Sequence, residues 1–218
     1  TNKNFRNNAK RKEYLMILFD NQNRNMTPKL KTQFIDYVTD KKASHYIDFH
    51  GGKWFAQVEA EFTHKGKEKE ITLYLELQEE IQGSKWVLVK AHYPEFDAYF
   101  YQNKASKSQF LHPLSHELDF MNLQKVFSNA KNSEYYAADD FYPDHLSLFL
   151  YELKKGTFKF KTVRQTKFHF FQVDNWYFEL SKFNRGGYNT GWLISNLFPI
   201  NEEQKKKLTK FIFREQKD

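Results

Sequence analysis

The stretch that most limits what this chain can fold into runs from Asp174 to Pro199. Trp176, Tyr177, Phe178, Glu179 and Leu180 form an apolar-aromatic run, Gly186 and Gly187 supply a turn, and a second run, Trp192 to Phe198, stops at Pro199. Two such runs around a glycine turn predict a β-hairpin, and proline, which cannot donate to a strand ladder, predicts its end. The same design occurs earlier: Tyr74, Leu75, Glu76 and Leu77, then Gly83, then Trp86 to Tyr93, then Pro94.

The rest of the chain falls into order around these hairpins. Residues 5–20 predict a helix with Tyr14, Leu15, Leu18 and Phe19 as its apolar stripe. Thr27 caps a second helix with Pro28 at its first position, and Leu30, Phe34, Ile35 and Val38 follow at helical spacing. Trp54, Ala56, Val58, Ala60 and Phe62 alternate with polar residues, as a half-buried strand does. Ile71, Leu73, Leu75 and Leu77 form the buried side of the next strand, and Val87-Leu88-Val89 predicts a third covered on both faces. After a segment with polar middle Gln102 to Gln109, the pattern returns. Ser115 opens a helix ending near Asn129, Pro143 opens another, and Phe158 and Phe160 begin a long strand reaching about Val173. Asn201, with Gln204 three residues on, predicts a capping box on a last helix buried through Leu208, Phe211 and Ile212.

Landmarks also repeat. Tyr74-Leu75-Glu76-Leu77 returns as Tyr177-Phe178-Glu179-Leu180, Trp86 as Trp192, Pro94 as Pro199, Phe19-Asp20-Asn21 as Phe127-Ser128-Asn129, and Pro28 as Pro143. The offset ranges from 103 (Tyr74 to Tyr177) to 115 (Pro28 to Pro143), and the drift is assigned to loops, where length changes cost little. The expected architecture is therefore α+β: two repeated helix-helix-three-stranded antiparallel meander units, as curved sheets with helices packed on one face. The units span 1–101 and 114–218, with 102–113 as linker.

Helices followed by a curved meander whose last strand begins with Trp, as in Trp192-Leu193-Ile194-Ser195-Asn196-Leu197, resemble the nuclear transport factor 2-like, or cystatin-like, superfamily. The resemblance implies helices wrapped over the concave side of a sheet, a cone-shaped cavity at the open end, and pairing through the sheets. In tandem it implies a monomer whose units pair as an internal pseudo-dimer. The early strand such units carry between their helices matches only Tyr46 to Phe49 here, and Lys154-Lys155-Gly156 runs straight into Phe158, which implies a shallow cone in the second copy.

Aromatics make up 18% of the chain, with 23 Phe, enough ring surface for a sheet with helices packed on it. There is no cysteine, which excludes disulfides, thiolate nucleophiles and Cys-ligated zinc. The net charge of +7 is spread over both halves beside acidic residues, which disfavours nucleic acid as a partner. No apolar run is long enough for a membrane span. The polar start at Thr1 has the character of a segment left after a leader is removed, which points to the periplasm or cell envelope, with the cytoplasm as the alternative.

Candidate chemistry is sparse. His112, His116, Glu117 and Asp119 lie together, but Pro113 and Ser115 start a helix among them and break metal-ligand spacing, so no metal ligand is expected. Asp140, Tyr136 and Tyr142, in an acidic-aromatic loop with Asp139, Asp144 and His145, are candidates for binding a cation or sugar. His92 and Asp97 in the first unit, and Tyr188 and Asn196 in the second, are placed to line a pocket mouth. Glu76 and Glu179 occupy matched strand positions and read as solvent-facing rather than as an acid–base pair. Asn184-Arg185-Gly186-Gly187-Tyr188 turns between strands and opens no helix, so it is not a phosphate loop. No catalytic residue and no cofactor is expected. The function expected is a non-catalytic binding or scaffolding protein for an unknown small molecule or protein. The alternative is a small-molecule enzyme of hydrolase, isomerase or cyclase type that uses the cone-shaped pocket.

Overall fold

The period-two stretch at Trp54 is strand β1, Trp54–His64, in a computed structural model that describes residues 7–43, 45–81, 83–98 and 144–213. β2 (Lys67–Glu80) and β3 (Gly83–His92) complete one meander. β4 (Phe158–Phe170), β5 (Trp176–Phe183) and β6 (Gly191–Pro199) form the other. The two meanders make one six-stranded sheet, antiparallel throughout, in the order β3-β2-β1-β4-β5-β6. This corrects the expectation of separate curved sheets. β1 and β4 each begin a meander and would each leave a row of unpaired backbone groups. They close on each other instead, from Trp54↔Phe170 to His64↔Phe158.

The seam has two irregularities, between Glu59/Ala60 and Glu61/Phe62. Arg164 and Lys161 are the extra residues on β4, and a bulge re-aims its side chain. Both turn onto the carboxylate of Glu61, Lys161 Nζ at 2.5 Å and Arg164 also in contact. Lys161, and behind it Arg164, hold the Glu61 carboxyl below the usual carboxylate range against the opposing effect of burial.

Helices α1 (Asn8–Leu18) and α2 (Pro28–Val38) lie on one face. Phe34, Ile35 and Val38 pack there against Trp54, Phe170, Phe178 and Ile194, mostly residues of the second meander. The short α3 (Pro94–Asp97) and α4 (His145–Lys154) cover the other end of that face, where Phe96 and Phe149 meet Ala60, Phe62, Ile71 and Phe158. The early helices thus cover the late strands, and α4 covers the early strands. α5 (Glu202–Ile212) lies on the opposite face against Phe55, Tyr74, Phe171 and Tyr177. Helices on one face only is therefore corrected to helices on both.

Local signals explain the helix starts. Thr27 Oγ1 accepts from Leu30 N and Pro28 opens α2. Asn201 and Gln204 form the capping box of α5 in both directions, at 2.8 and 2.9 Å. Asp144 caps α4 through Leu146 N and Ser147 N, while Pro143, the Ser115 helix and the 102–113 linker lie outside the described residues. Three burial expectations are corrected. Phe211 is exposed, because the stripe of α5 that meets the sheet runs through Lys205, Leu208 and Ile212. Tyr14 and Leu18 of the expected α1 stripe are exposed as well, since α1 contacts the core through Leu15. β3 is an outer strand, exposed from Gly83 to Trp86 and at Val89, half-buried at Val87 and Leu88 and buried at Ala91.

Candidate functional site

A cavity of about 490 Å³ lies where α5 crosses the end of the sheet at which β1 begins and β2 ends. Volumes of that size are ordinary for small-ligand pockets. Its walls are the rings of Phe49, Trp54, Phe55, Phe171 and Phe213, with Leu77. Two devices fix the wall made by residues 48–53. Gln172 Nε2 donates to Asp48 O at 2.6 Å and to Gly52 O at 2.7 Å, while Gln172 Oε1 accepts from Asp48 N at 3.1 Å. Trp54 Nε1 donates to Phe49 O at 3.0 Å. Lys205 fixes the helical wall: buried, it donates to Phe171 O at 3.1 Å and Val173 O at 2.9 Å and pairs with Glu202 at 2.9 Å. That ammonium holds the Glu202 carboxyl below its usual range. Tyr74 closes the far end of α5 by donating to Ile212 O at 2.6 Å. A lysine on the same stripe as Leu208 and Ile212 was the signal in the sequence for this docking, and its charge disguised it.

A second cavity, about 350 Å³, lies between α1–α2 and the sheet, lined by Leu15, Phe34, Phe178, Leu180 and Ile194. Arg11 at its mouth is engaged: it donates to Val38 O and His45 O and stacks on Tyr46 with 4.2 Å to the ring centroid.

Ionisable groups gather elsewhere, on the α5 face of the second meander. His169, Tyr177, Glu179, Ser181 and Ser195 are all buried there. Gln57 Oε1 can only accept, so His169 Nε2, 3.1 Å away, carries the proton. His169 Nδ1 then accepts from the Tyr177 hydroxyl at 2.7 Å. Burial pushes the imidazole down to about 4; Glu179 opposes the shift and Lys167 adds to it. Burial, and then Glu179, push the Tyr177 phenol up. Ser195 and Ser181 both donate to Glu179 Oε1, at 2.6 and 3.0 Å. The serines therefore bond to a carboxylate and not to the imidazole, and both imidazole nitrogens are occupied. Neither serine reaches the imidazole, and none of these five residues lines the cavity beneath α5.

The residues singled out in the sequence fall in three places. His92 and Asp97 meet at His145, whose Nε2 is 3.1 Å from Asp97 Oδ1 and whose ring stacks on His92 with centroids 6.1 Å apart. Tyr188 is fully exposed in the β5–β6 connection and lines a depression with Met16 and Asn189. Asn196 accepts from Asn23 Nδ2 at 3.3 Å. Tyr136, Asp140 and Tyr142 lie outside the described residues. Glu179 is buried, which corrects its reading as solvent-facing, whereas Glu76 is exposed as expected. Among the described residues no group of three or more His, Cys, Asp or Glu could hold a metal ion, and no helix is long and apolar enough to cross a membrane.

Comparison with protein-family models, with curated proteins and with solved structures finds no match. The chain is an α+β protein whose two meander halves join in one six-stranded antiparallel sheet.

Proposed function

We propose that this is a non-catalytic binding protein that takes a small molecule into the cavity beneath α5. The observation that carries the reading is the pairing of a ring-lined cavity with a buried ionisable cluster that lies outside it. An apolar cavity with a few polar groups at its rim is what small-molecule binding needs. The buried groups suited to acid, base or nucleophile work, His169, Tyr177, Glu179 and the two serines, bond to one another outside the space, while of the ionisable groups that line it His50 pairs with Glu79 and Lys205 with Glu202. The same reading takes the meanders as diverged copies of a unit resembling the nuclear transport factor 2-like superfamily. It is supported by matched landmarks that share a face: Tyr74 and Tyr177 both pack toward α5, and Trp86 and Trp192 both contact Phe168 on the other side.

The test is thermal denaturation of the full chain against a panel of small aromatic and aliphatic compounds, with and without an acidic group. A ligand present at about 100 times its Kd stabilises by about 2.7 kcal/mol. For a chain of this size that raises Tm by roughly 5–10 °C. A panel in which nothing raises Tm would sink the reading.

A further inference from the structure

The cavity beneath α5 has a charge pattern that narrows what it takes. Its lining carries four lysines (Lys53, Lys205, Lys206, Lys210) and three glutamates (Glu76, Glu79, Glu202), a net charge of +1. Several of these are already matched: Lys205 with Glu202, and Glu79 with His50 at 3.4 Å. The ammonium groups of Lys53 and Lys206 make no hydrogen bond or close ion pair among the described residues; both act on the Glu202 carboxylate, which Lys205 already holds, and both are exposed at the rim.

Lys53 is held in place at a backbone cost. Its φ is +53°, in the left-handed region that non-glycine residues avoid. Such a conformation persists where the surroundings impose it. Here Phe171 N donates to Lys53 O at 2.9 Å, and Gln172 ties down the neighbouring Gly52. Lys53 therefore approaches the cavity from a pinned loop on one side, and Lys206 from α5 on the other.

We infer that the cavity binds an aromatic or short aliphatic acid: an apolar body among the rings of Trp54, Phe55 and Phe171, and one anionic group at the rim between Lys53 and Lys206. The inference rests on the binding reading above and adds the charge and class of the ligand. A single negative charge fits the net +1 lining, and Glu76 at the same rim opposes a second one.

The test uses the full chain and two fluorescent probes of matched ring system, the sulfonate 1-anilinonaphthalene-8-sulfonate and the neutral N-phenyl-1-naphthylamine. The sulfonate is expected to bind more tightly. The double substitution Lys53→Ala with Lys206→Ala is expected to weaken it by about tenfold and to leave the neutral probe within about twofold. Both lysines are exposed, so the double variant should fold normally. Thr209→Trp, or the milder Thr209→Leu, fills the space and should weaken both probes. Equal binding of the two probes, or no effect of the lysine double variant, overturns the anionic class and leaves an apolar binding cavity standing. If neither probe binds, or if both bind unchanged to the Thr209 variants, the cavity itself is overturned as the site.

Discussion

The two meanders share a strand order, yet they differ in how their strands are joined and in what they bury. β1 and β2 turn through Lys65 and Gly66, both at positive φ, and stay paired from His64↔Lys67 to Ala56↔Leu75. Turns of this kind match the twist of the strands and keep a long ladder in register. β4 and β5 are joined by residues 171–175 and pair only from Lys167↔Ser181 to Phe170↔Phe178. The longer connection is put to other uses: it gives Phe171 to the cavity, two carbonyls to Lys205 and Gln172 to the 48–53 wall. The outer strands differ too. β6 is covered by the loop after α1, through Asp20 N to Ile194 O at 2.9 Å and Asn23 Nδ2 to Ser195 O at 2.7 Å. Arg185 fastens that cover by reaching Asp20 at 2.5 Å. One strand pattern, given different connections, thus yields a half whose buried polar residues are Glu61, His64 and Thr72 and a half that ties His169, Tyr177, Glu179, Ser181 and Ser195 into one buried network.

The largest expected effect tests whether these halves are one cooperative body. Phe158 opens the second meander but is buried among first-half rings, Phe62, Tyr93 and Phe96, together with Phe149 of α4. Phe158→Ala should cost about 3–5 kcal/mol, the usual range for a phenylalanine removed from a packed core. Urea unfolding followed by far-UV circular dichroism and by tryptophan fluorescence should give one coincident transition before and after the change. Two transitions in either protein would show that the halves unfold separately and that the seam does not unite them.

A slightly smaller effect separates the halves by pH. His169 is neutral in the fold down to about pH 4, against an ordinary value of 6.5. Between those values the unfolded chain binds a proton that the folded chain does not. Stability is therefore full above pH 6.5 and falls as pH drops toward 4, by about 3 kcal/mol at 1.36 kcal/mol per unit. Urea unfolding at pH 7, 6, 5 and 4 should show this slope in the parent protein and lose it in His169→Gln. Carboxylates contribute to both proteins, so their difference isolates the imidazole. Equal slopes would show that the imidazole is not the source of the acid sensitivity.

Periodicity made the strands legible, because alternation along Trp54–His64 and the Gly-Pro punctuation of both hairpins are local signals. The joining of the meanders was not legible. Both β1 and β4 read as half-buried strands, and nothing within either sequence says which edge meets which; the pairing is a long-range fact. The cavity was hidden for a related reason. Its parts come from the 48–53 loop, the β4–β5 connection and α5, which are far apart in the chain, and its docking lysine is a charged residue on an otherwise apolar stripe. His92 and Asp97 were chosen for their position; they meet at His145 through contacts of β3 and of α3 with α4 that no local pattern contains.

The smallest effect turns on two glutamates that the sequence puts in matching places. Glu76 of β2 is exposed at the cavity rim, where water solvates it. Glu179 of β5 is buried, faces His169 across the strand pair, and accepts from Ser181 and Ser195. Removing Glu179 takes their charged acceptor from two buried hydroxyls and leaves them only each other, at 3.0 Å, and the backbone carbonyl of residue 179, whereas Glu76 is exposed to water. Glu179→Ala should therefore cost about 1–3 kcal/mol, and Glu76→Ala should stay within about 0.5 kcal/mol. Equilibrium unfolding of the two variants side by side measures the difference. Glu179→Ala combined with Ser181→Ala and Ser195→Ala should recover part of the loss, because deleting both ends of a buried hydrogen bond is cheaper than deleting one. Equal losses from Glu76→Ala and Glu179→Ala would mean that the second half's polar network adds nothing that distinguishes it from the first.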